Sequence, residues 1–260
     1  MIHVAIISHG HEDLLISTGI GGLQDMTEGI HVWIKDNRPS ARLKAYCQQH
    51  AVSYTDASPG LGFGANNNFL FETIQNGVGF GDDDLFIVMN PDVATTSDTL
   101  FTLLERMNKD RALIATLNLY RDSACTETDA NIRLFPDFLS PVRMLWVRSL
   151  TEAYDKQVVN RPAWCEWASG AFLAFRACHY RALQGFDDRY FMYFEDVDLC
   201  YRSFLQTGKG VRYYPDIAAV HLAARKNRNI ASMHANWFIR SFLKFLFRKY
   251  FVYGAPRHGS

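Results

Sequence analysis

Two neighbouring carboxylates, Glu195 and Asp196, follow a mostly aromatic run at the predicted start of a helix. The run occupies residues 190–194, and the helix is predicted over 196–206. The positive end of the helix dipole favours the ionised form of a carboxyl group in the first turn. An ionised carboxylate beside aromatic rings suits a general base, which takes a proton from an attacking group. The alternative interpretation is an ordinary acidic helix N-terminus.

Polar side chains also stand where three predicted strands end. They are Ser8 and His9 after the first strand, Asp36 and Asn37 after the second, and Asn90 and Asp92 after the fourth. Ligands of open α/β sheets bind beyond the carboxyl ends of the strands. Turn formation or helix capping would explain each residue singly, but three polar strand ends on one edge indicate a ligand crevice. A carboxylate such as Asp92, fixed at the end of a rigid apolar strand, suits a divalent cation that bridges phosphates.

A glycine-rich segment, Gly-Leu-Gly-Phe-Gly-Ala-Asn-Asn-Asn at 60–68, opens the helix predicted over 65–75. Glycines permit close backbone approach, and the amides at a helix N-terminus attract phosphate. The pattern is neither the dinucleotide fingerprint nor a phosphate loop with Gly-Lys-Ser/Thr. It predicts an anion or nucleotide loop, and a glycine-rich turn with Asn capping is the alternative.

The elements that must position these residues alternate between apolar runs and helical patterns over about the first 120 residues. Strands are predicted over 4–8, 30–35, 52–54, 85–89 and 111–119. Helices are predicted over 42–49, 65–75 and 97–108, the last with Ser97 as its N-cap. This alternation predicts an α/β fold, a mostly parallel central sheet flanked by helices.

The second half of the chain is less regular. Residues 120–163 are rich in Arg, Asp and Pro and predict a loop-rich excursion over the sheet. After it we expect a strand over 164–176, a loop over 185–193, and two short extended pieces over 211–214 and 217–221. Residues 231–251 are predicted to be helical.

Composition excludes several classes of protein. The 260 residues are 48% hydrophobic with 27 basic and 27 acidic side chains, which excludes a disordered chain. Five scattered cysteines without a CxxC pair predict free thiols in a reducing compartment. The N-terminus lacks the features of a signal peptide, and no apolar stretch reaches the roughly 18 residues of a membrane span. We therefore expect a cytoplasmic body.

The charge is distributed unevenly along the chain. Eight basic residues and no acidic ones follow Asp216, so the last 44 residues carry +8 and residues 1–216 carry −8. Arg240, Lys244 and Arg248 recur every fourth residue, with apolar side chains on the opposite face. This pattern predicts that 231–251 lies on an anionic membrane surface, and a helix docked on the body is the alternative. A nucleic-acid partner is not expected, because the body is acidic and carries no recognition motif.

In combination, these motifs resemble family 2 glycosyltransferases of the GT-A fold and, within them, bacterial O-antigen rhamnosyltransferases. The resemblance covers about residues 3–225. It rests on Ser8-His9-Gly10, Asp36-Asn37, residues 63–68, Asn90-Pro91-Asp92-Val93, residues 167–170, the block 185–200, and His221. It implies a GT-A domain over 1–225, with a donor half over about 1–120 and an acceptor half over about 121–225. A basic, aromatic helical segment over 226–260 would follow it.

The resemblance implies inverting transfer of a sugar from a nucleotide-diphosphate donor. The residues that would bind the donor are Ser8, His9, Asp36, Asn37, Gly64, Asn67, Asn90 and Asp92. Asp36 would hydrogen-bond a pyrimidine base. Asp92 would hold Mg²⁺ or Mn²⁺ on the diphosphate, with a further contact from His221. Asn90 stands where the family carries its first metal-binding carboxylate, which predicts weaker metal binding.

On the acceptor side, the resemblance makes Asp196 the general base and Glu195 the residue that orients hydroxyl groups. Trp167 and Gly170 would border the acceptor. One base is sufficient for an inverting displacement, because a cation stabilises the departing diphosphate.

The resemblance favours transfer of L-rhamnose from dTDP-rhamnose to a polyprenyl-diphosphate-linked sugar, such as GlcNAc, in O-antigen synthesis. The enzyme would be peripheral on the inner face of the bacterial inner membrane. One alternative is the same fold with another donor, UDP-galactofuranose or a UDP-hexose. Another is a non-catalytic scaffold that binds nucleotide sugars, against which intact Asp92 and Asp196 argue.

Overall fold

The computed structural model describes residues 1–25, 28–142, 151–222 and 231–253. The helices are α1 Glu12–Ser17, α2 Gly22–Asp25, α3 Ala41–Gln49, α4 Phe63–Asn76, α5 Ser97–Asp110, α6 Ala177–Ala182, α7 Glu195–Thr207 and α8 Ala231–Phe247. A π-helical turn, Arg248–Val252, continues α8. The strands are β1 Ile2–Ser8, β2 Ile30–Asp36, β3 Ser53–Thr55, β4 Leu85–Met89, β5 Val93–Ala94, β6 Ile114–Tyr120, β7 Ile132–Arg133, β8 Ala163–Cys165, β9 Trp167–Ala168, β10 Phe172–Arg176 and β11 Val211–His221.

The central sheet has the strand order β3-β2-β1-β4-β10-β6-β11-β5, and β8 also pairs with β11. Strands β3, β2, β1 and β4 are parallel, as predicted. Strand β10 runs antiparallel to both β4 and β6, which makes the sheet mixed. Because β10 inverts the direction between them, β6 and β11 end at the same edge as β1, β2 and β4.

Both faces of the sheet are covered. Along β1, Val4 and Ile6 join one apolar cluster and Ala5 joins the other. The first cluster includes side chains of α1, α3 and α5, and the second includes side chains of α4, α6, α7 and α8. Burial on both faces explains why β4 is a continuous apolar run, Leu-Phe-Ile-Val-Met.

Several predicted boundaries differ from the structure. The strand predicted over 164–176 is three strands, because the chain bends at Glu166 and turns at Gly170 and Ala171. The pieces predicted over 211–214 and 217–221 are one strand, β11, with an irregularity in its pairing between Tyr214 and Ala218. The N-cap of α5 is Thr96 rather than Ser97, and its hydroxyl accepts from the Thr99 amide at 3.2 Å.

The C-terminal helix α8 packs on the body through Phe242, Phe245 and Leu246, which are buried. The prediction that Arg240, Lys244 and Arg248 form a free basic stripe is wrong for two of these three residues. Arg248 is buried, with ion pairs to Asp187 at 3.0 Å and to Asp198 at 3.5 Å. Lys244 donates to the backbone carbonyl of Arg189, and Arg240 alone is exposed. Lys249, in the π-helical turn, donates to the Pro136 carbonyl at 2.9 Å. The remaining four basic residues after Asp216, at positions 225, 226, 228 and 257, lie outside the described residues.

Among the described residues, the structure contains no helix with the length and apolar character needed to cross a membrane.

Candidate active site

The predicted polar strand ends do share one edge of the sheet. Ser8 at the end of β1 pairs in register with Asp36 at the end of β2. The Asn37 amide donates to the Ser8 carbonyl at 2.9 Å. After β4, the Asn90 amide donates to the Ala171 carbonyl at 2.9 Å, so Asn90 stands beside the turn that precedes β10.

The Asp36 side chain is fully buried at the N-terminus of α3. Its carboxylate accepts from the amides of Arg38 and Ser40, each at 3.2 Å, and from the Tyr54 hydroxyl at 3.3 Å. Burial and the nearby Asp36 charge raise the pKa of Tyr54 to about 12, so its hydroxyl keeps its proton. Asp36 is therefore a fixed acceptor that is held by backbone amides.

Beside it, Asn37 accepts from the Lys35 ammonium at 3.0 Å. The Lys35 side chain is fully buried and also donates to the Ser58 carbonyl at 3.0 Å. Burial lowers its pKa. Sequence reasoning missed this lysine, because it lies inside the apolar strand run of β2.

His9 is exposed on the loop after β1, where its amide donates to Nδ1 of His11 at 3.0 Å. Gly10 has a φ of 78°, the left-handed region that favours glycine. Ser8 is buried, and its hydroxyl accepts from the His11 amide at 3.4 Å. The loop thus turns sharply at the sheet edge and leaves the His9 side chain accessible.

The glycine-rich segment brings the start of α4 against the aromatic run. A Cβ on Gly62 would lie 2.2 Å from the Phe191 carbonyl oxygen, and one on Gly64 would lie 2.7 Å from Cβ of Phe186. Close packing therefore requires these glycines, whatever else the loop binds. Asn67 is fully buried and donates to the Phe63 carbonyl at 2.9 Å. Its Oδ1 atom is buried and has no hydrogen-bond partner within the described parts of the chain.

Asn68 joins α4 to the loop that precedes α7. Its Oδ1 atom accepts from the Tyr180 hydroxyl at 2.7 Å and from the Phe186 amide at 2.9 Å. Its Nδ2 atom donates to the Phe186 carbonyl at 2.8 Å and to Asp188 at 2.9 Å. The sequence placed Asn68 in the glycine-rich motif but gave it no role. In the structure, its role is to hold α4 against the residues that precede α7.

Helix α7 begins with the predicted carboxylate pair. The preceding residues Tyr193 and Phe194 have φ values of 69° and 66°, a left-handed conformation that is costly for aromatic residues. Asp196 accepts from the Gly170 amide at 2.9 Å and from the Val197 amide at 2.8 Å. Gly170 is thus brought against Asp196, as the prediction that both belong to one site requires.

The two carboxyl groups differ in their surroundings. Burial raises the pKa of Asp196, although the two amides and the Arg133 guanidinium favour its ionised form. Glu195 is 6% exposed, and its Oε2 atom has no hydrogen-bond partner among the residues that the structure describes. Burial and the charge of Asp196 raise the pKa of Glu195 well above its usual range. The two amides on Asp196 make it the better placed of the pair to accept a proton, while burial favours the protonated form of Glu195, which can donate a hydrogen bond.

Asp92 and His221 meet at the ends of β4 and β11. Oδ1 of Asp92 is buried, lies 3.2 Å from Nε2 of His221, and makes no hydrogen bond within the described ranges. Nδ1 of His221 pairs with Asp129 at 2.8 Å, and Asp129 in turn accepts from Arg121 at 3.1 Å. Burial lowers the pKa of His221, but Asp129 and Asp92 outweigh it and raise that pKa to about 9.

This arrangement suits a divalent cation with few protein ligands. In the described part of the chain, no group of three or more His, Cys, Asp or Glu side chains is placed to hold a metal ion. Mg²⁺ is commonly held by one or two carboxylates together with substrate phosphates. The buried oxygen of Asp92 beside Nε2 of His221 fits that mode of binding, in which the cation would take the place of the proton on Nε2. Asp129, which sequence analysis missed, would orient the imidazole from behind.

Trp167 lies in β9, opposite Arg133 of β7. Its indole N–H donates to the Leu134 carbonyl at 2.9 Å, and the residue is only 6% exposed. Its burial therefore leaves little surface for the predicted contact with an acceptor sugar.

The chain is similar to known rhamnosyltransferases. It is 32% identical over 250 residues to rhamnosyltransferase WbbL of Escherichia coli (strain K12), covering 96% of this chain and 94% of the relative. It is 30% identical over 179 residues to the Mycobacterium tuberculosis protein named N-acetylglucosaminyl-diphospho-decaprenol L-rhamnosyltransferase. That match covers 63% of this chain and 56% of the relative. No family model matches the sequence.

Solved structures share the fold at low sequence identity. GalNAc-T7 with UDP, GalNAc and Mn2+ superimposes with a TM-score of 0.70 at 12% identity, covering 97% of this chain and 48% of that one. A mannosyltransferase from Pyrobaculum calidifontis with GDP-Man and Mn2+ gives a TM-score of 0.58 at 12% identity. That match covers 87% of this chain and 58% of the neighbour. Both neighbours are GT-A glycosyltransferases.

Proposed function

Since the chain belongs to the bacterial rhamnosyltransferase family that includes the Escherichia coli relative, we propose that it transfers L-rhamnose from dTDP-rhamnose with inversion. The chain is a glycosyltransferase of the GT-A fold. The observation that carries the mechanistic proposal is the half-buried Asp196 carboxylate, held by the amides of Gly170 and Val197. Through Gly170, in the turn before β10, Asp196 stands beside the end of β4, which Asp92 follows.

The donor would lie along that edge. Asp36, fixed by two amides, is the acceptor for the N–H of a pyrimidine base, with Ser8, His9 and Asn37 around it. Gly64 and Asn67 are buried at the start of α4, so they would shape the donor side from beneath. Near Asn90, Asp92 and His221 are the residues that would hold a divalent cation. When bound, such a cation neutralises charge on the departing diphosphate.

The reaction is one in-line displacement at the anomeric carbon. Asp196 takes the proton of the acceptor hydroxyl as its oxygen bonds to that carbon. The bond from the same carbon to the diphosphate oxygen breaks, and the electron pair leaves with the nucleoside diphosphate. Neutral Glu195 would donate a hydrogen bond to a sugar hydroxyl beside the reacting centre, and Gly170 would keep the approach to Asp196 narrow.

The acceptor would be a polyprenyl-diphosphate-linked sugar such as GlcNAc. Support comes from the mycobacterial relative, whose name specifies N-acetylglucosaminyl-diphospho-decaprenol. A lipid-linked acceptor would place the enzyme at the inner face of the inner membrane, where the net charge of +8 in the sequence after Asp216 would favour anionic lipid. Synthesis of O-antigen or a related surface polysaccharide is the corresponding role.

A transfer assay tests this function. Full-length protein with Mg²⁺ or Mn²⁺ and a short-chain lipid-diphosphate GlcNAc acceptor is given dTDP-rhamnose, UDP-galactofuranose and UDP-hexoses in parallel. We expect product from dTDP-rhamnose with inverted anomeric configuration. Product from a UDP-sugar alone would refute the rhamnose assignment. Donor binding without turnover from any donor would favour the non-catalytic scaffold.

Asp196→Asn tests the base in the same assay. We expect turnover to fall by on the order of 10²–10⁴ with donor affinity retained, the usual contribution of a general base. Asp216→Asn is the matched control, because the Asp216 carboxylate lies away from the site and pairs with Arg106 at 2.9 Å. Equal turnover in Asp196→Asn and the control would remove Asp196 from the mechanism.

A further inference from the structure

The C-terminal helix α8 has two apolar sides. The inner side carries Phe242, Phe245 and Leu246, and all three pack in the core beside α7. The Ser241 hydroxyl on this side donates to the Met192 carbonyl at 3.0 Å. These contacts settle which way the helix faces.

The other side is apolar and exposed to solvent. Four of its residues lie about four positions apart and form a stripe along α8 and the π-helical turn. They are Ile239, Leu243, Phe247 and Phe251, with exposed fractions of 54%, 58%, 59% and 70%. We call them the outer apolar face. Single exposed apolar side chains are ordinary, but a continuous stripe of large ones marks an interaction surface.

A neighbouring segment, residues 138–142, extends this face. The ring of Phe138 stacks on that of Tyr250 at a centroid distance of 4.4 Å. Phe138, Leu139 and Val142 are themselves 55%, 62% and 56% exposed. The patch therefore involves two segments of the chain, and the fold brings them together.

Charge indicates which partner this surface fits. The chain after Asp216 contains eight basic and no acidic residues. Arg240 is exposed on α8 next to Ile239, whereas Lys244 and Arg248 are engaged by the body. An apolar face in a segment with basic and no acidic residues complements the headgroup and acyl boundary of an anionic bilayer.

We propose that the outer apolar face inserts shallowly into an anionic membrane and is the surface on which the enzyme sits. The inference rests on the proposed function, because a polyprenyl-linked acceptor is held in a bilayer. It replaces the predicted basic stripe as the main membrane contact: insertion comes from Leu243, Phe247 and their neighbours, and the cations add attraction.

The proposal also places the active site near the lipid. The inner side of α8 contacts the residues that lead into the carboxylate pair, with Phe194 packed on Phe238 at 5.2 Å and on Phe242 at 5.6 Å. His234 on α8 pairs with the Tyr193 hydroxyl at 2.9 Å. One helix thus separates a membrane face from the segment that delivers Glu195 and Asp196.

Sedimentation of the full-length chain with vesicles tests the proposal. The vesicles are phosphatidylcholine alone and phosphatidylcholine with phosphatidylglycerol, each at low and high salt. The test variant is Leu243→Ser with Phe247→Ser. The matched control is Val78→Ser with Val158→Ser, since these side chains are 65% and 74% exposed elsewhere. Thermal unfolding by circular dichroism checks that both variants fold.

We expect the test variant to lose on the order of tenfold or more in partition coefficient on both vesicle types, the scale expected for two large apolar side chains. The control should stay within about twofold of the wild type. Equal binding of test and control variants would overturn the proposal. So would a wild-type dimer, detected by light scattering, that the test variant dissociates without a change in vesicle binding.

A second readout separates this proposal from the function itself. Transfer to the short-chain acceptor without vesicles should be the same in the test variant and the wild type. If the wild type binds vesicles but transfers no sugar, the proposed function fails and the membrane face remains. If the wild type transfers sugar but binds no vesicles, the proposed membrane contact of the outer apolar face is refuted and the proposed function stands.

Discussion

At the scale of single residues, adjacent carboxyl groups acquire different chemistry from their surroundings. Asp196 receives two backbone amides, whereas Glu195 is buried with one oxygen unbonded among the described residues. Burial raises the pKa of both, and the charge of Asp196 raises that of Glu195 further. A pair whose environments differ in this way divides into a proton acceptor and a hydrogen-bond donor.

Asp129 provides a prediction at this scale. Its pairing with Nδ1 of His221 fixes the imidazole so that Nε2 faces Asp92. We expect Asp129→Asn to weaken Mn²⁺ affinity by about 10–100-fold in the presence of donor, the usual effect of losing a residue behind a metal ligand. Isothermal titration calorimetry measures the affinity, with Asp216→Asn as the control. Unchanged Mn²⁺ affinity would mean that His221 needs no support from Asp129.

Asn68 provides a second prediction at the scale of single residues. Three of the four hydrogen bonds of its amide join α4 to residues 186–188, and the fourth comes from the Tyr180 hydroxyl of α6. Truncation leaves these partners unsatisfied. We expect Asn68→Ala to lower the free energy of unfolding by about 2–4 kcal/mol. Urea denaturation measures this, and Asn76→Ala, exposed near the end of the same helix, should change it by less than about 0.5 kcal/mol. Similar losses for both variants would contradict a special role for Asn68.

At the scale of elements, α8 shows how a regular pattern divides between two environments. Arg240 and Arg248 are about two helical turns apart, so the sequence pattern assigns both of them to the same basic stripe. In the fold, Arg240 is exposed, while Arg248 bonds Asp187, Asp198 and the Tyr253 hydroxyl. The cation thus locks the end of α8 onto the loop before α7 and onto α7 itself.

These two arginines form a matched pair for a test. We expect Arg248→Met to lower the free energy of unfolding by about 3 kcal/mol, because it leaves buried carboxylates with one partner fewer. Arg240→Met should change it by less than about 0.5 kcal/mol. Equilibrium urea denaturation of both variants compares them. A loss for Arg248→Met no larger than that for Arg240→Met would show that these ion pairs do not hold the helix.

At the scale of the whole molecule, burial sets how stability depends on pH. His179 is buried and pairs with the Ser203 hydroxyl at 2.8 Å. Desolvation lowers its pKa to about 4 from 6.5. A lowered histidine pKa means that the unfolded chain binds the proton first. The stabilisation that neutral His179 contributes is therefore present above pH 6.5 and is lost as the pH falls toward 4.

Between pH 7 and pH 5, His179 alone should remove about 2 kcal/mol from the free energy of unfolding. Urea denaturation at both pH values measures the total change, to which buried carboxyl groups also contribute. His179→Gln isolates the histidine, because glutamine can retain a bond to Ser203 without titrating. Its stability should fall by about 2 kcal/mol less than that of the wild type over this interval. Parallel losses in the two proteins would exclude His179 as the source.

Much of the fold and site was predictable from sequence, for a physical reason. Strand β4 is a continuous apolar run because both of its faces are buried, so its end, and with it Asp92, can be located. Parallel strands place their carboxyl ends on one edge, which predicted that Ser8, Asp36 and Asp92 lie along one rim. The order of the motifs predicted the family without any knowledge of contacts.

Other features depended on contacts that no local pattern contains. Asp129 and His221 are 92 positions apart, and only the sheet brings them together. Trp167 fits the family motif, but its burial depends on β7, which the sequence did not predict. The three short helices α1, α2 and α6 also went unpredicted, because four to six residues carry too little periodicity.

The sequence by itself thus determined β1–β4 and β6, the edge at which their polar ends meet, and the family. Tertiary structure decided which face of each element meets which partner. Helix α8 is the plainest case, since it has apolar residues on two sides and cations between them. Its pattern is compatible with either side facing the body. The choice came from distant groups, the carboxylates of Asp187 and Asp198 and the rings around Phe194, whose positions depend on the whole fold.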